Sequence, residues 1–155
     1  MFKLGDLTPD FTLPDQDGRD HRLDNYHGSW VLLYFYPRDN TSGCTIEAKE
    51  FKKNYQKLKK HHVSVLGVST DSVKSHQKFA TKLKLPFPLL SDEEKRVVKV
   101  YQVWQTKKFM GRSYKGIVRT SFLIDPAGFI AKVYEKVKPI EHAEEVLADM
   151  KSLTT

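Results

Sequence analysis

The run WVLLYFYP, residues 30–37, is apolar at nearly every position and ends on a proline. A strand with water on one face would alternate polar and apolar residues, so a run like this predicts a central strand covered on both faces. VSVLGVST, residues 63–70, repeats the pattern. Between them, Ala48, Phe51, Tyr55 and Leu58 recur at helical spacing and predict a helix from about Thr41 to Lys60. Strand, helix, strand with two buried strands means an α/β sheet with helices packed on it.

The rest of the chain extends that plan. FTLPDQDGRDHRL turns at Asp17-Gly18 and predicts an N-terminal hairpin. Thr70, Asp71 or Ser72 is placed to cap a helix that carries Val73, Phe79, Ala80 and Leu83. LPFPLLSDEEKRVVKVYQV predicts a short strand and a helix starting near Asp92, with acidic residues suited to the positive end of the helix. GIVRTSFLIDPAGFIAKVYE predicts two strands joined across Asp125-Pro126-Ala127-Gly128. PIEHAEEVLADMKSL predicts a closing helix with Ile140, Ala143, Val146, Leu147 and Met150 inward. No repeat, low-complexity tract or linker divides residues 1–155, so a single domain is expected. This order is that of an α/β thioredoxin-like fold with an N-terminal β-hairpin and an inserted strand-helix.

One cysteine excludes an intramolecular disulfide, so the fold stands on packing and suits a reducing compartment. Gly, Asp and Pro interrupt the start MFKLGDLTPDF before an apolar leader core could form, and no run reaches membrane-spanning length. A cytoplasmic protein without membrane contact is the expectation. The formal charge of +7 raises the question of nucleic acid. Much of it comes from Lys49, Lys52, Lys53, Lys57, Lys59 and Lys60, which surround the apolar side of the first helix as a solvated face would. With no nucleic-acid motif, charge alone gives only salt-sensitive attraction, and no specific nucleic-acid partner is expected.

The cysteine follows the first strand with the spacing Pro37-x-x-x-Thr41-x-x-Cys44. Sites in open α/β sheets form at the carboxyl ends of strands, where helices begin. Thr41 is placed as N-cap, so Ser42, Gly43 and Cys44 are the first helical residues, and free amides there favour an anion. A thiol so placed ionises more readily than a free one, and Gly43 lets another group approach the backbone closely. Arg119 interrupts the apolar stretch GIVRTSFLID. Burying it requires an opposing charge, the Cys44 thiolate or a salt bridge to Asp39, Glu47 or Glu50; otherwise it is an edge-strand arginine reaching out to solvent.

YPRDNTSGCT resembles the peroxidatic motif of peroxiredoxins, in which a Pro, a Thr or Ser and a Cys keep this spacing. With LPDQDG, LGVSTDS, FPLLSDEE and RTSFLIDPAG, nearly the whole chain is similar to the bacterioferritin-comigratory, or Q-type, branch of that family. The resemblance implies a thiol-dependent peroxidase acting on hydrogen peroxide and small organic hydroperoxides. It implies Cys44 as nucleophile, Thr41 as hydrogen-bond partner of the peroxide, Pro37 as a shield from water, Arg119 as the charge stabiliser and Glu47 as its orienter. It implies no metal or organic cofactor, and this branch is often monomeric.

Two departures matter. Ser42 stands where the family usually has Pro, which loosens the first turn slightly without removing a reacting group. Lys49 stands where many two-cysteine relatives carry the resolving cysteine, five residues after the first. Oxidised Cys44 must then react with an external thiol, with Cys44 of a second chain, or be oxidised further. Thioredoxin, glutaredoxin with glutathione, or a small thiol all suit the first route. Because no helical bridge has to form, the first turn is expected to stay folded after oxidation.

A thioredoxin-type dithiol site is excluded by Thr41, which occupies the position of its first cysteine. A non-catalytic interaction module or redox sensor is the alternative. His21, His27, His61, His62, His76 and His142 show no metal-ligand spacing. Trp104 and Phe109 are expected in core or loop packing, and Lys107, Lys108, Arg112 and Lys115 offer a docking surface for a reductant.

Overall fold

Strand β3 (Trp30–Phe35) lies at the centre of a five-stranded sheet in the computed structural model, which describes residues 2–154. On one side it pairs in parallel with β4 (Val63–Ser69), and β4 with β5 (Leu89–Ser91). On the other it pairs antiparallel with β8 (Thr120–Ile124), and β8 with β9 (Ile130–Tyr134). The sheet order is therefore β5-β4-β3-β8-β9.

The pleat of β3 splits its side chains between two cores. Leu32 and Tyr34 pack with helices α1 (Ser42–Lys60), α2 (Val73–Leu83) and α4 (His142–Leu153). Val31, Leu33 and Phe35 face the other way, toward α3 (Arg96–Val100) and the N-terminal segment of Phe11 and Leu13. The all-apolar sequence of the strand follows from this burial on both faces. The thioredoxin-like architecture is the expected one, with the N-terminal hairpin of β1 (Thr12–Pro14) and β2 (Asp20–Arg22) added to it.

Close backbone approach fixes one glycine. A Cβ on Gly67 would stand 2.8 Å from Tyr34 Cζ and 2.9 Å from Leu89 Cδ2, so the Tyr34 ring lies directly over β4. That ring stacks on Phe51 of α1 with centroids 4.8 Å apart. The helix that carries Cys44 is thus seated on the strand that precedes it.

The structure corrects four expectations. The helix expected near Asp92 starts at Arg96, because Lys95 takes a left-handed conformation and closes a turn onto Asp92 O. The acid still serves that helix, since Asp92 Oδ2 accepts from Val98 N at 2.8 Å. Ile140 lies before α4 and is 60% exposed, while His142 takes the inward position and meets Ser121 Oγ at 2.8 Å. Arg119 is not inside a strand: β7 (Arg112–Ile117) ends two residues before it and β8 begins one residue after. Finally, the stretch expected as loop around Phe109 pairs as a ribbon of β6 (Trp104–Phe109) and β7, separate from the main sheet. Residues 108–115 of this ribbon are all exposed, while Trp104 packs against the core and Ile117 is buried at its base.

Candidate active site around Cys44

Helix α1 begins where β3 ends, and Tyr36 N still donates to Val68 O before Pro37 stops the pairing. Cys44 is the third helical residue and is 2% exposed. One turn on, Glu47 falls on the same inner stripe as Ala48 and Phe51, and its side chain is fully buried.

Arg119 enters from the start of β8, which register places beside the end of β3 through the Phe35–Thr120 pair. Its Nη1 donates to Glu47 Oε1 at 2.6 Å and its Nη2 to Cys44 Sγ at 3.4 Å. Both opposing charges read for this arginine from the sequence are realised, since one planar fork serves the carboxylate and the sulfur together. Burial works against the guanidinium's charge, but Glu47 and Cys44 override it and push its pKa up. Glu47 responds in the opposite sense: complete burial raises it to about 7 against the pull of Arg119. The asymmetry follows from exposure, 16% for the arginine side chain and none for the glutamate, and from Glu47 Oε2, which meets no donor among the described residues.

Gly43 makes room for this arginine. A Cβ there would stand 3.0 Å from Arg119 Nη2 and 3.6 Å from Pro139 Cγ. The group that approaches its backbone is therefore the protein's own guanidinium, and Pro139 joins the site from the loop before α4.

Thr41 occupies the N-cap position with extended backbone, but its side chain does not cap. The hydroxyl donates backward to Arg38 O at 2.9 Å, which corrects the capping expectation and leaves its oxygen able to accept. Among the described residues no protein acceptor meets the amides of Ser42, Gly43 or Cys44, so the positive helix end stays available.

A buried hydrogen-bond cluster anchors the loop between Pro37 and Thr41. Asp39 Oδ1 accepts from Tyr36 Oη at 2.6 Å, and its Oδ2 meets His76 Nδ1 at 2.6 Å and Ser75 Oγ at 2.8 Å. Asp39 N donates to Asp71 Oδ2, which Ser69 Oγ also reaches. Asp39, Asp71 and His76 thus gather from three segments that sequence spacing does not connect. These hydrogen bonds already occupy both oxygens of Asp39, Oδ2 of Asp71 and Nδ1 of His76, so the cluster reads as a clamp on the loop.

Two further residues belong to this neighbourhood. Tyr34 Oη is buried without a partner among the described residues, and burial, then Glu47 and Cys44, hold its pKa well up. Lys107 of β6 is pushed down by partial burial and by Arg119, and back up by Cys44. Neither effect is readable in the sequence, where Tyr34 is one of many apolar-run residues and Lys107 one of many lysines.

Comparison with known proteins gives the family. Residues 4–133 match the AhpC/TSA family. Peroxiredoxin Bcp of Escherichia coli strain K12 is 47% identical over 146 residues, 94% of each chain. Among solved structures, a mutant of Xylella fastidiosa PrxQ superimposes with a TM-score of 0.95 at 35% identity, covering 100% of this chain and 99% of that one. The Xanthomonas campestris bacterioferritin comigratory protein, described for its alkyl peroxide reduction activity, gives 0.88 at 36% identity over 94% of this chain and 92% of its own. The chain belongs to the AhpC/TSA family, as a peroxiredoxin of the Bcp and Q branch with a single cysteine.

Proposed function

We propose that Cys44 is the peroxidatic nucleophile of this thiol peroxidase, and that it reduces hydrogen peroxide and small alkyl hydroperoxides by a one-cysteine cycle. The carrying observation is the 3.4 Å contact from Arg119 Nη2 to the only sulfur at the start of α1. That charged donor faces the negative charge that grows on the peroxide as its O–O bond stretches. The thiolate attacks one peroxide oxygen, the other leaves as hydroxide or alkoxide and takes up a proton, and Cys44 becomes a sulfenic acid.

The other residues take supporting roles. Glu47 fixes the guanidinium, Gly43 makes space for it, and Thr41 offers its hydroxyl oxygen to the peroxide proton while the first-turn amides face the second oxygen. Pro37 closes the strand and shields the sulfur from water. Every group comes from one chain, so a monomer suffices, and a single thiol that must be re-reduced from outside suits a cytoplasmic setting. Thioredoxin, glutaredoxin or a small thiol supplies the electrons.

Stopped-flow mixing of the reduced protein with hydrogen peroxide tests this reading. Oxidation far faster than that of a free thiol, lost in Cys44→Ala, supports it; a rate like that of free cysteine leaves a non-catalytic interaction module.

A further inference from the structure

The cycle needs an external thiol, and the structure constrains its size. Cys44 is 2% exposed at the start of a helix with no second cysteine to draw it out, so the resolving sulfur has to come to it. A slender molecule follows a sulfur into such a recess more easily than a protein surface does.

A cleft of about 430 Å³ opens beside the site between the loop after β3 and the base of the β6–β7 ribbon. Pro37 and Arg38 form one wall, and Trp104, Lys107, Tyr114 and Lys115 form the other. Its cations are Arg38, Lys107 and Lys115, and its one acid is Asp71, whose Oδ2 is already held by Asp39 N and Ser69 Oγ. Lys107 Nζ donates to Ile117 O at 3.0 Å, which points the ammonium along the ribbon base, and two of its three protons remain free. Ile117, whose carbonyl holds this ammonium, lies two residues before Arg119, and Pro37 of the loop leading to Cys44 lines the same cleft. The cleft has the volume for a tripeptide-sized ligand and the charge for carboxylates.

We propose that this cleft receives the carboxylates of a small anionic thiol, whose sulfur resolves the oxidised Cys44. The inference rests on the peroxidase reading above. The incoming thiolate attacks Cys44 Sγ, an S–S bond forms, the S–O bond breaks, and hydroxide leaves as water after taking a proton. A second thiol then attacks the bound thiol's sulfur, releasing Cys44 and a small disulfide. The two thiols give up the two electrons that the peroxide removed.

The test starts from protein treated with one equivalent of peroxide and checked for a mass gain of about 16 Da. Stopped flow then follows mixed-disulfide formation with anionic glutathione and with uncharged 2-mercaptoethanol, each corrected for its thiolate fraction. The expected result is a glutathione to mercaptoethanol rate ratio that falls about tenfold or more in Lys107→Glu, falls less in Lys115→Glu at its exposed position, and shrinks with added salt. A ratio unchanged in both variants overturns the proposal. So does resolution by a protein dithiol alone, with neither small thiol reacting. If the oxidised mass never forms, the peroxidase reading fails first and takes the cleft proposal with it.

Discussion

Arg119 Nη1 and Glu47 Oε1 stand 2.6 Å apart although 72 residues separate them in the chain, and the second arm of the same guanidinium reaches Cys44 Sγ. A lysine cannot span both acceptors, because its ammonium is a single point rather than a fork. Arg119→Lys is therefore expected to slow Cys44 oxidation by about 100-fold, the usual effect of losing one well-aimed donor to a developing anion. Stopped-flow rates within a factor of two of the parent would remove Arg119 from the chemistry.

Glu47 makes stability depend on pH in an unusual direction. Its ordinary value is 4.5 and burial raises it to about 7, so the folded protein holds this proton more tightly than the unfolded chain does. Between those values the unfolded chain releases the proton first, and this group's contribution to stability declines as pH rises from 4.5 to 7, then levels off. Urea midpoints measured across that window should show the decline in the parent and its loss in Glu47→Gln. Identical pH slopes for the two proteins would contradict it.

Tyr34 Oη has no partner among the described residues, so its removal should cost nothing. Tyr34→Phe keeps the ring over Gly67 and against Phe51, and is expected to leave the protein as stable or to add up to about 1 kcal/mol. Chemical denaturation checks this, and a loss of more than about 1 kcal/mol would reveal an internal water bound there.

The sulfenic acid of Cys44 has no bridge to form within the chain, so the first turn of α1 should survive oxidation. Amide hydrogen exchange at Thr45, whose N–H donates to Thr41 O at 2.9 Å, should be equally slow before and after one equivalent of peroxide. A large loss of protection would mean that the helix start unwinds.

The parts of the fold legible in the sequence are those whose burial is strong and periodic. β3, β4 and the inner stripe of α1 read directly because apolar residues there follow the pleat or the helical turn. The β6–β7 ribbon did not, since TKKFMGRSYK has no buried face to impose a period. The start of α3 was displaced because a left-handed Lys95 inserts a turn where acidic residues suggested a helix. At the site, Cys44 and its helix start were local and readable, and Arg119 stood out as a cation among apolar residues. Its joint hold on sulfur and carboxylate, the clamp of Asp39, Asp71 and His76, and the nearness of Pro139 arise only when distant segments meet.

The bare outer half of the β6–β7 ribbon has a consequence for how such a protein can diversify. Phe109 and Met110 stand 66% and 87% exposed at its tip, where the hydrophobic interior exerts no selection on them. Exchange of Phe109 would leave the melting behaviour nearly untouched, so new recognition preferences could be grafted at this tip while the sulfur chemistry at the start of α1 stays constant.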